Sequence, residues 1–211
     1  MSGVGSTEPP GGGARFAGAG AEVSGVGSTE PPGGGAGFAG AGAGLSLAIR
    51  PARPEDASTL VELGSTIGRE EGAWLLNTSG WRSVAEERRY LRALKRYPHA
   101  AVFVAEADGR LVGRLSLARD PHPSSQHVAD LGLMVAAGHR RRGIGRALLE
   151  QAVAWAREAD VRKLELHVFP WNEPALKLYE GFGFEREGLR HAHYRRGSEY
   201  VDAILMAYRI P

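Results

Sequence analysis

The sequence predicts a mixed-sheet α/β domain over residues 46–211, preceded by a low-complexity segment over residues 1–45. Three observations predict it. Apolar runs of period two alternate with apolar stripes at helical spacing, in the order β α α β β β α β α β β. In the first half short turns join neighbouring strands, as in antiparallel hairpins; in the second a helix separates strands, as in a βαβ crossover. Residues 1–45 differ: they hold 16 of the 30 glycines, and Ser2–Val23 recurs as Ser24–Leu45 with three changes. Each copy has too few large apolar side chains to offset the entropy of ordering its glycines, so a flexible tail is expected there.

Taken in order, residues 46–50 (SLAIR) form a short strand stopped by Pro51. Pro54, Glu55 and Asp56 open a helix, because proline and acids are favoured in a first turn. Leu60, Val61 and Ile67 form its apolar stripe. Residues 83–96 make a second, highly charged helix with Val84, Tyr90, Leu91 and Leu94 at helical spacing. Residues 100–107 (AAVFVAEA) are a buried strand, and Asp108-Gly109 is a hairpin turn. Residues 110–119 return with Leu111, Leu115 and Leu117 in alternation. After a Pro/Ser loop at 121–125, residues 127–135 (HVADLGLMV) form a strand with an expected bulge, and 144–159 a helix burying Leu148, Ala152 and Trp155. Residues 163–168 are a strand with Leu164, Leu166 and Val168 on one face, and 173–180 a short helix. Two last strands, about 184–194 and 199–208, flank a turn at 195–198.

Composition excludes several chemistries. There is no cysteine, hence no disulfide, thiolate zinc site or cysteine nucleophile. The formal charge is +2, and setting aside residues 1–45 removes Arg15 against Glu8, Glu22 and Glu30, which leaves +4. That balance suits an anionic small molecule and does not call for a nucleic-acid partner. No apolar run approaches the roughly 20 residues of a membrane span. The N-terminus lacks the layout of a secretory signal, so the expected location is cytoplasmic.

Residues 136–149 (AAGHRRRGIGRALL) carry the most information. A strand ends at Val135, a basic glycine loop follows, and a helix starts within it. The first turn of a helix has unpaired N–H groups and a partial positive charge, which together hold a phosphate. Gly143 and Gly145 are expected to remove Cβ atoms that would block a pyrophosphate, and Arg140, Arg141, Arg142 and Arg146 to attract it. A Rossmann loop needs a third glycine where Leu148 stands, and a P-loop needs a Gly-Lys-Ser/Thr ending that is absent. A solvated basic turn is the bland alternative.

Arg140-x-x-Gly143-x-Gly145 resembles the Q/R-x-x-G-x-G/A signature of the GNAT N-acetyltransferases. The resemblance extends to residues 168–184 (VFPWNEPALKLYEGFGF), where Asn172, Ala175, Tyr179, Gly183 and Phe184 match N-x-x-A-x-x-x-Y-x-x-x-G-F in order. It implies a mixed, mostly antiparallel sheet of about seven strands with a central splay, flanked by helices. It also implies acetyl-CoA as co-substrate: loop amides from Arg140 to Arg146, Ile144 included, on the pyrophosphate, and the backbone of Leu133, Met134 and Val135 on the pantetheine arm. Asn172 reads as a helix N-cap, and in the family it also contacts the coenzyme.

The implied chemistry is direct attack of an amine on a thioester in a ternary complex, which expels a thiolate and needs no enzyme nucleophile. A phenol of pKa about 10 can protonate a thiolate whose conjugate acid lies near 8.5. Tyr179 is that candidate acid; packing in the core is its alternative. Asp130, the acid on the strand before the loop, is the candidate base or else a structural aspartate, and His127 is a second candidate. Glu70 and Glu71 either attract a cationic amine or form a solvated helix end. His191-x-His193 is expected to point both rings to one side beside Tyr194, but with no third ligand in view no metal is expected.

Gly197–Asp202 (GSEYVD) and HVADLGLMV look like a bacterial subgroup acting on small amines, some of it on free amino acids. Protein or peptide N-terminal acetylation is the alternative, and a non-catalytic acyl-CoA-binding or nucleic-acid-binding module the alternative of another class. Homodimers are common among lookalikes.

Overall fold

The computed structural model describes residues 46–72, 74–76 and 81–211; the duplicated segment expected to be a tail lies outside the described residues. Strands β1 (Leu47–Pro51), β2 (Ala100–Ala107), β3 (Arg110–Arg119), β4 (Val128–Val135), β5 (Lys163–Val168), β6 (Glu185–Arg196) and β7 (Glu199–Arg209) form one sheet in the order β1-β2-β3-β4-β5-β7-β6. Every pairing is antiparallel except β4 with β5. Helices α1 (Ala57–Gly68) and α2 (Val84–Leu94) cover one face, and α3 (Ile144–Glu158) and α4 (Glu173–Phe182) the other. The mixed-sheet α/β fold is the one expected from the sequence.

Local chemistry explains most boundaries. Asp108 (φ 49°) and Gly109 (φ 74°) both take positive φ, as a two-residue hairpin turn requires. Ser83 caps α2 in a capping box: its Oγ accepts from the Glu86 N–H, and the Glu86 carboxylate accepts from the Ser83 N–H. The segment opening at Pro54 is a separate 3-10 turn, and α1 starts only at Ala57. Asp56 serves β1 instead, accepting two hydrogen bonds from Arg50, which also holds Glu106 on β2.

The larger core lies between the sheet and α3 and α4, with Leu115, Leu117, Leu148, Leu149, Leu164 and Met206 all at most 1% exposed. Burying each such side chain stabilises by about 1.5–3 kcal/mol. A smaller core lies on the other face, where Leu60 and Leu91 meet Val102 and Val104. Two strand expectations need correcting. The bulge expected on β4 is absent, since β4 pairs with β3 in unbroken register from Gly113↔Val135 to Arg119↔Ala129. It lies in β3 against β2: Ala105 pairs with Gly113 and Glu106 with Leu111, which leaves Val112 as the extra residue. That shift turns Leu111 to the α1–α2 face while Leu115 and Leu117 face α3.

The sheet splits at its centre. β4 and β5 pair over only three residues, ending at Asp130↔Glu165. Beyond that point β4 stays with β3 while β5 runs on beside β7 to Val168. The facing backbone edges of β4 and β5 therefore part, leaving main-chain polar groups available to something placed between them.

Candidate active site

A cleft of about 560 Å³ opens where the two strands part. One wall is Leu131–Val135 of β4, and the other is Leu166, His167 and Val168 of β5. One end of the cleft reaches the mouth of α3, where Arg140, Arg141, Gly143, Gly145 and Arg146 line it. The first helical hydrogen bond of α3 runs from the Ala147 N–H to the Gly143 carbonyl at 3.0 Å. Helix geometry leaves the N–H groups of Ile144, Gly145 and Arg146 without an intrahelical acceptor. The Ile144 side chain points into the core at 1% exposure, so only its backbone faces this end. Arg142 is exposed and lies outside the lining.

The two loop glycines are required for reasons the sequence did not separate. Gly143 is the N-cap of α3 with φ 80°, and a Cβ there would touch nothing within 4 Å. Its constraint is backbone conformation. At Gly145 a Cβ would come 2.8 Å from Leu178 Cδ2, so the missing side chain lets α3 and α4 approach each other. Arg140 is committed: Nε donates to the Val135 carbonyl at 2.9 Å, and its terminal nitrogens hold both oxygens of Glu70 at 2.8 Å. Glu70, expected to draw an amine or face solvent, instead ties the end of α1 to this loop.

Helix α4 carries the second motif, and its caps explain the spacing. Asn172 is the N-cap; its Oδ1 accepts from the Ala175 N–H at 3.3 Å, and its Nδ2 donates to the Trp74 carbonyl at 3.5 Å. At the other end Gly183 (φ 114°) closes a Schellman motif. The Gly183 N–H donates to the Glu180 carbonyl at 3.1 Å, and the Phe184 N–H to the Tyr179 carbonyl at 2.9 Å. This brings the Tyr179 and Phe184 rings to 5.6 Å, the apolar contact that accompanies the motif. Tyr179 lines the cleft at 6% exposure, and burial pushes its phenol well above the usual value. The hydroxyl therefore keeps its proton throughout the neutral range.

Asp130 lines the cleft at the last paired position of the splayed strands. His127 is exposed and lies outside the lining. Near Asp130 stands a cluster in which the sequence marked His193 and Tyr194 but not His167. His167 Nδ1 lies 2.8 Å from the Tyr194 hydroxyl, and the His193 ring packs edge-on at 5.4 Å from His167. Burial first, and the Asp130 charge second, push the Tyr194 phenol up to about 12. The expected parallel display of His191 and His193 fails because β6 bulges between Arg190 and Tyr194, with Ala192 at φ 50°. His191 turns to Asp202 at 3.0 Å while His193 turns to His167. Among the described residues no group of three or more His, Asp or Glu side chains could hold a metal ion.

A second omission lies under α2. Glu87 and Arg114 are buried against each other beside Trp81, and Arg114 and Trp81 line the cleft. The signal was present: Val84, Glu87, Leu91 and Leu94 share one helical stripe, so Glu87 occupies a core position.

Residues 71–184 match the model of the acetyltransferase (GNAT) family. The L-amino acid N-acetyltransferase AaaT of Escherichia coli is 39% identical over 114 residues, which cover 52% of this chain and 68% of that protein. A putative ribosomal-protein-alanine N-acetyltransferase of Bacillus subtilis is 28% identical over 159 residues, covering 75% of this chain and 93% of the relative. An acetyltransferase of the GNAT family from Streptococcus pneumoniae superposes with a TM-score of 0.68 at 25% identity, over 78% of this chain and 99% of that one. Among the described residues no helix is long and apolar enough to cross a membrane. Motifs, splayed sheet and family match agree: the chain belongs to the acetyltransferase (GNAT) family and is an acetyl-CoA-dependent acetyltransferase.

Proposed function

We propose that this enzyme acetylates the primary amine of a small molecule, with amino acids as the leading acceptor class, by direct attack in a ternary complex. The observation that carries the reading is one continuous cleft, lined both by the mouth of α3 and by the buried phenol of Tyr179. The AaaT relative supports the acceptor class.

Acetyl-CoA supplies an activated acyl group on a good leaving group. The backbone amides of Gly143, Ile144, Gly145 and Arg146 bind its diphosphate, with Arg141, Arg142 and Arg146 as surrounding positive charge. Arg140 acts by fixing the loop, because its guanidinium already holds Glu70 and the Val135 carbonyl. The opened edge of Leu133, Met134 and Val135 hydrogen-bonds the arm, and Asn172 closes over it from α4. Tyr179 delivers its proton to the departing sulfur. Asp130 accepts the proton that the amine must lose, at the far end of the same wall.

A second reading, acetylation of protein N-termini, is favoured by the Bacillus relative, which matches over nearly its whole length. Thiol release from acetyl-CoA decides, measured across amino acids, polyamines, aminoglycosides and N-terminal peptides. Release with small amines is expected. Release with peptides alone transfers the assignment to protein acceptors, and no release with any amine defeats both.

A further inference from the structure

Beneath α2 lies a buried charge cluster that the transfer chemistry does not use. Glu87 on α2 is 0% exposed and Arg114 on β3 is 3% exposed. Arg114 Nη2 lies 3.3 Å from one oxygen of Glu87, and Arg82 Nε lies 3.3 Å from the other. Two guanidinium groups thus share the one buried carboxylate; Glu86, on the exposed side of α2, also faces Arg82, so the guanidinium short of counter-charge where water is largely excluded is that of Arg114. A buried charge without a counter-charge is unfavourable, and an anion placed against it relieves that cost. The Glu87 oxygens are ion-paired without a hydrogen bond, and the other unpartnered polar atoms of the cluster call for an acceptor. Arg114 Nε and Nη1 and Trp81 Nε1 have no hydrogen-bond partner among the described residues, and all three are donors. Both residues line the cleft.

The cluster is also held in place. The Arg114 guanidinium lies 5.1 Å over the Trp81 ring, and that ring fills the space where a Cβ on Gly64 would stand. In register, Arg114 pairs with Met134 and Ser116 with Gly132, so Arg114 occupies the same sheet face as Asp130. The two positions lie four residues apart in register, roughly 13 Å along the strands, so an amino acid seated on Arg114 hands its proton to Asp130 through water rather than directly.

We propose that Arg114, seconded by Trp81, anchors an anionic group of the acceptor, so that the preferred acceptors are amines bearing a carboxylate. This rests on the reading that the cleft acetylates small amines, with amino acids foremost, and names the residues that select the carboxylate. Polyamines and aminoglycosides, which bring only further positive charge, are disfavoured by the Arg114 guanidinium.

Calorimetric titration into CoA-saturated full-length protein tests this without turnover. The probes are L-amino acids, each paired with the amine left by its decarboxylation. The best amino acid binds at least tenfold tighter than its amine. Arg114→Gln reduces that ratio to threefold or less, leaving acetyl-CoA and amine binding unchanged; Arg114→Lys keeps part of it. Arg82 still faces Glu87 in Arg114→Gln, which limits the fall in the unliganded melting temperature. Trp81→Phe keeps the ring but removes one donor, and lowers the ratio by a smaller factor even if Arg114→Gln does not fold. No preference for the carboxylate in the wild-type protein, or an undiminished preference in the variants that fold, overturns the anchor. Thiol release with the same pairs separates the two readings. Transfer without carboxylate preference defeats the anchor alone; Arg114-dependent binding with no transfer to any pair upholds it and defeats the small-amine reading.

Discussion

At the mouth of α3 the cleft is shaped by backbone conformation within short stretches of chain, whereas beneath α2 and beside β6 it is shaped by side chains from elements far apart in sequence. Gly143 at φ 80° aims the amides, and Asn172 and Gly183 cap α4 and so set Tyr179. At the other end Glu87 comes from α2, Arg114 from β3, Asp130 from β4, His167 from β5 and Tyr194 from β6. The first kind of site depends on a few torsions and caps, and tolerates change around it. The second depends on register, so a bulge of one residue relocates its members.

Tyr179 stands where the two kinds meet, and its loss gives the largest expected effect. Tyr179→Phe keeps the ring packed on Phe184 and removes only the hydroxyl. Turnover falls by about 10²–10⁴, the usual contribution of a positioned general acid, while acetyl-CoA affinity by calorimetry stays within twofold. Unchanged turnover assigns Tyr179 to packing and leaves proton delivery to another group.

Gly143→Val probes the backbone-built end next. No atom lies within 4 Å of the new Cβ, so the effect comes chiefly from φ. Holding a non-glycine residue in the left-handed region costs roughly 1–2 kcal/mol, which corresponds to a loss of about 5- to 30-fold in acetyl-CoA affinity if the amides must keep their direction. Gly145→Ala is the matched control, meeting Leu178 rather than a strained torsion. Its effect is a lower melting temperature with smaller loss of affinity. Equal behaviour of the two variants removes the distinction between conformational and packing glycines.

This contrast also explains what the sequence disclosed. The glycine loop, the Asn172 cap and the Tyr179-x-x-x-Gly183-Phe184 spacing are local, and local rules read them. The seven strands were legible because alternation marks them individually. Bulges are not local: Val112 becomes the extra residue only in relation to β2, and the three residues opposite Asp202 become a bulge only in relation to β7. Alternation counted through those points put Leu111 on the wrong face and His191 beside His193. Glu87 was legible as a charge on an apolar stripe, but its partner required the fold, because nothing between positions 87 and 114 signals that Arg114 reaches under α2 from β3. The tie between Glu70 and Arg140 is likewise a contact across 70 residues.

The smallest expected effect falls on the side-chain-built end. Asp202 pins the β6 bulge: its carboxylate accepts from the Ala192 N–H at 2.8 Å and faces His191 at 3.0 Å. The Ala192 N–H first, and the His191 ring second, hold the carboxyl below its usual value. A carboxylate with a lowered folded pKa contributes stability that is present above the unfolded value of about 3.9 and is lost as pH falls through the folded value. Asp202→Asn keeps an acceptor for Ala192 but loses the charge. Its melting temperature lies slightly below wild type at pH 7, and the gap closes as the pH falls to about 3 and below. Because the bulge also seats His193 and Tyr194 against His167, the acceptor KM rises while the acetyl-CoA KM does not. A gap that persists unchanged at low pH means the charge contributes nothing. A rise in the acetyl-CoA KM means the two ends of the cleft are coupled through β5 rather than built independently.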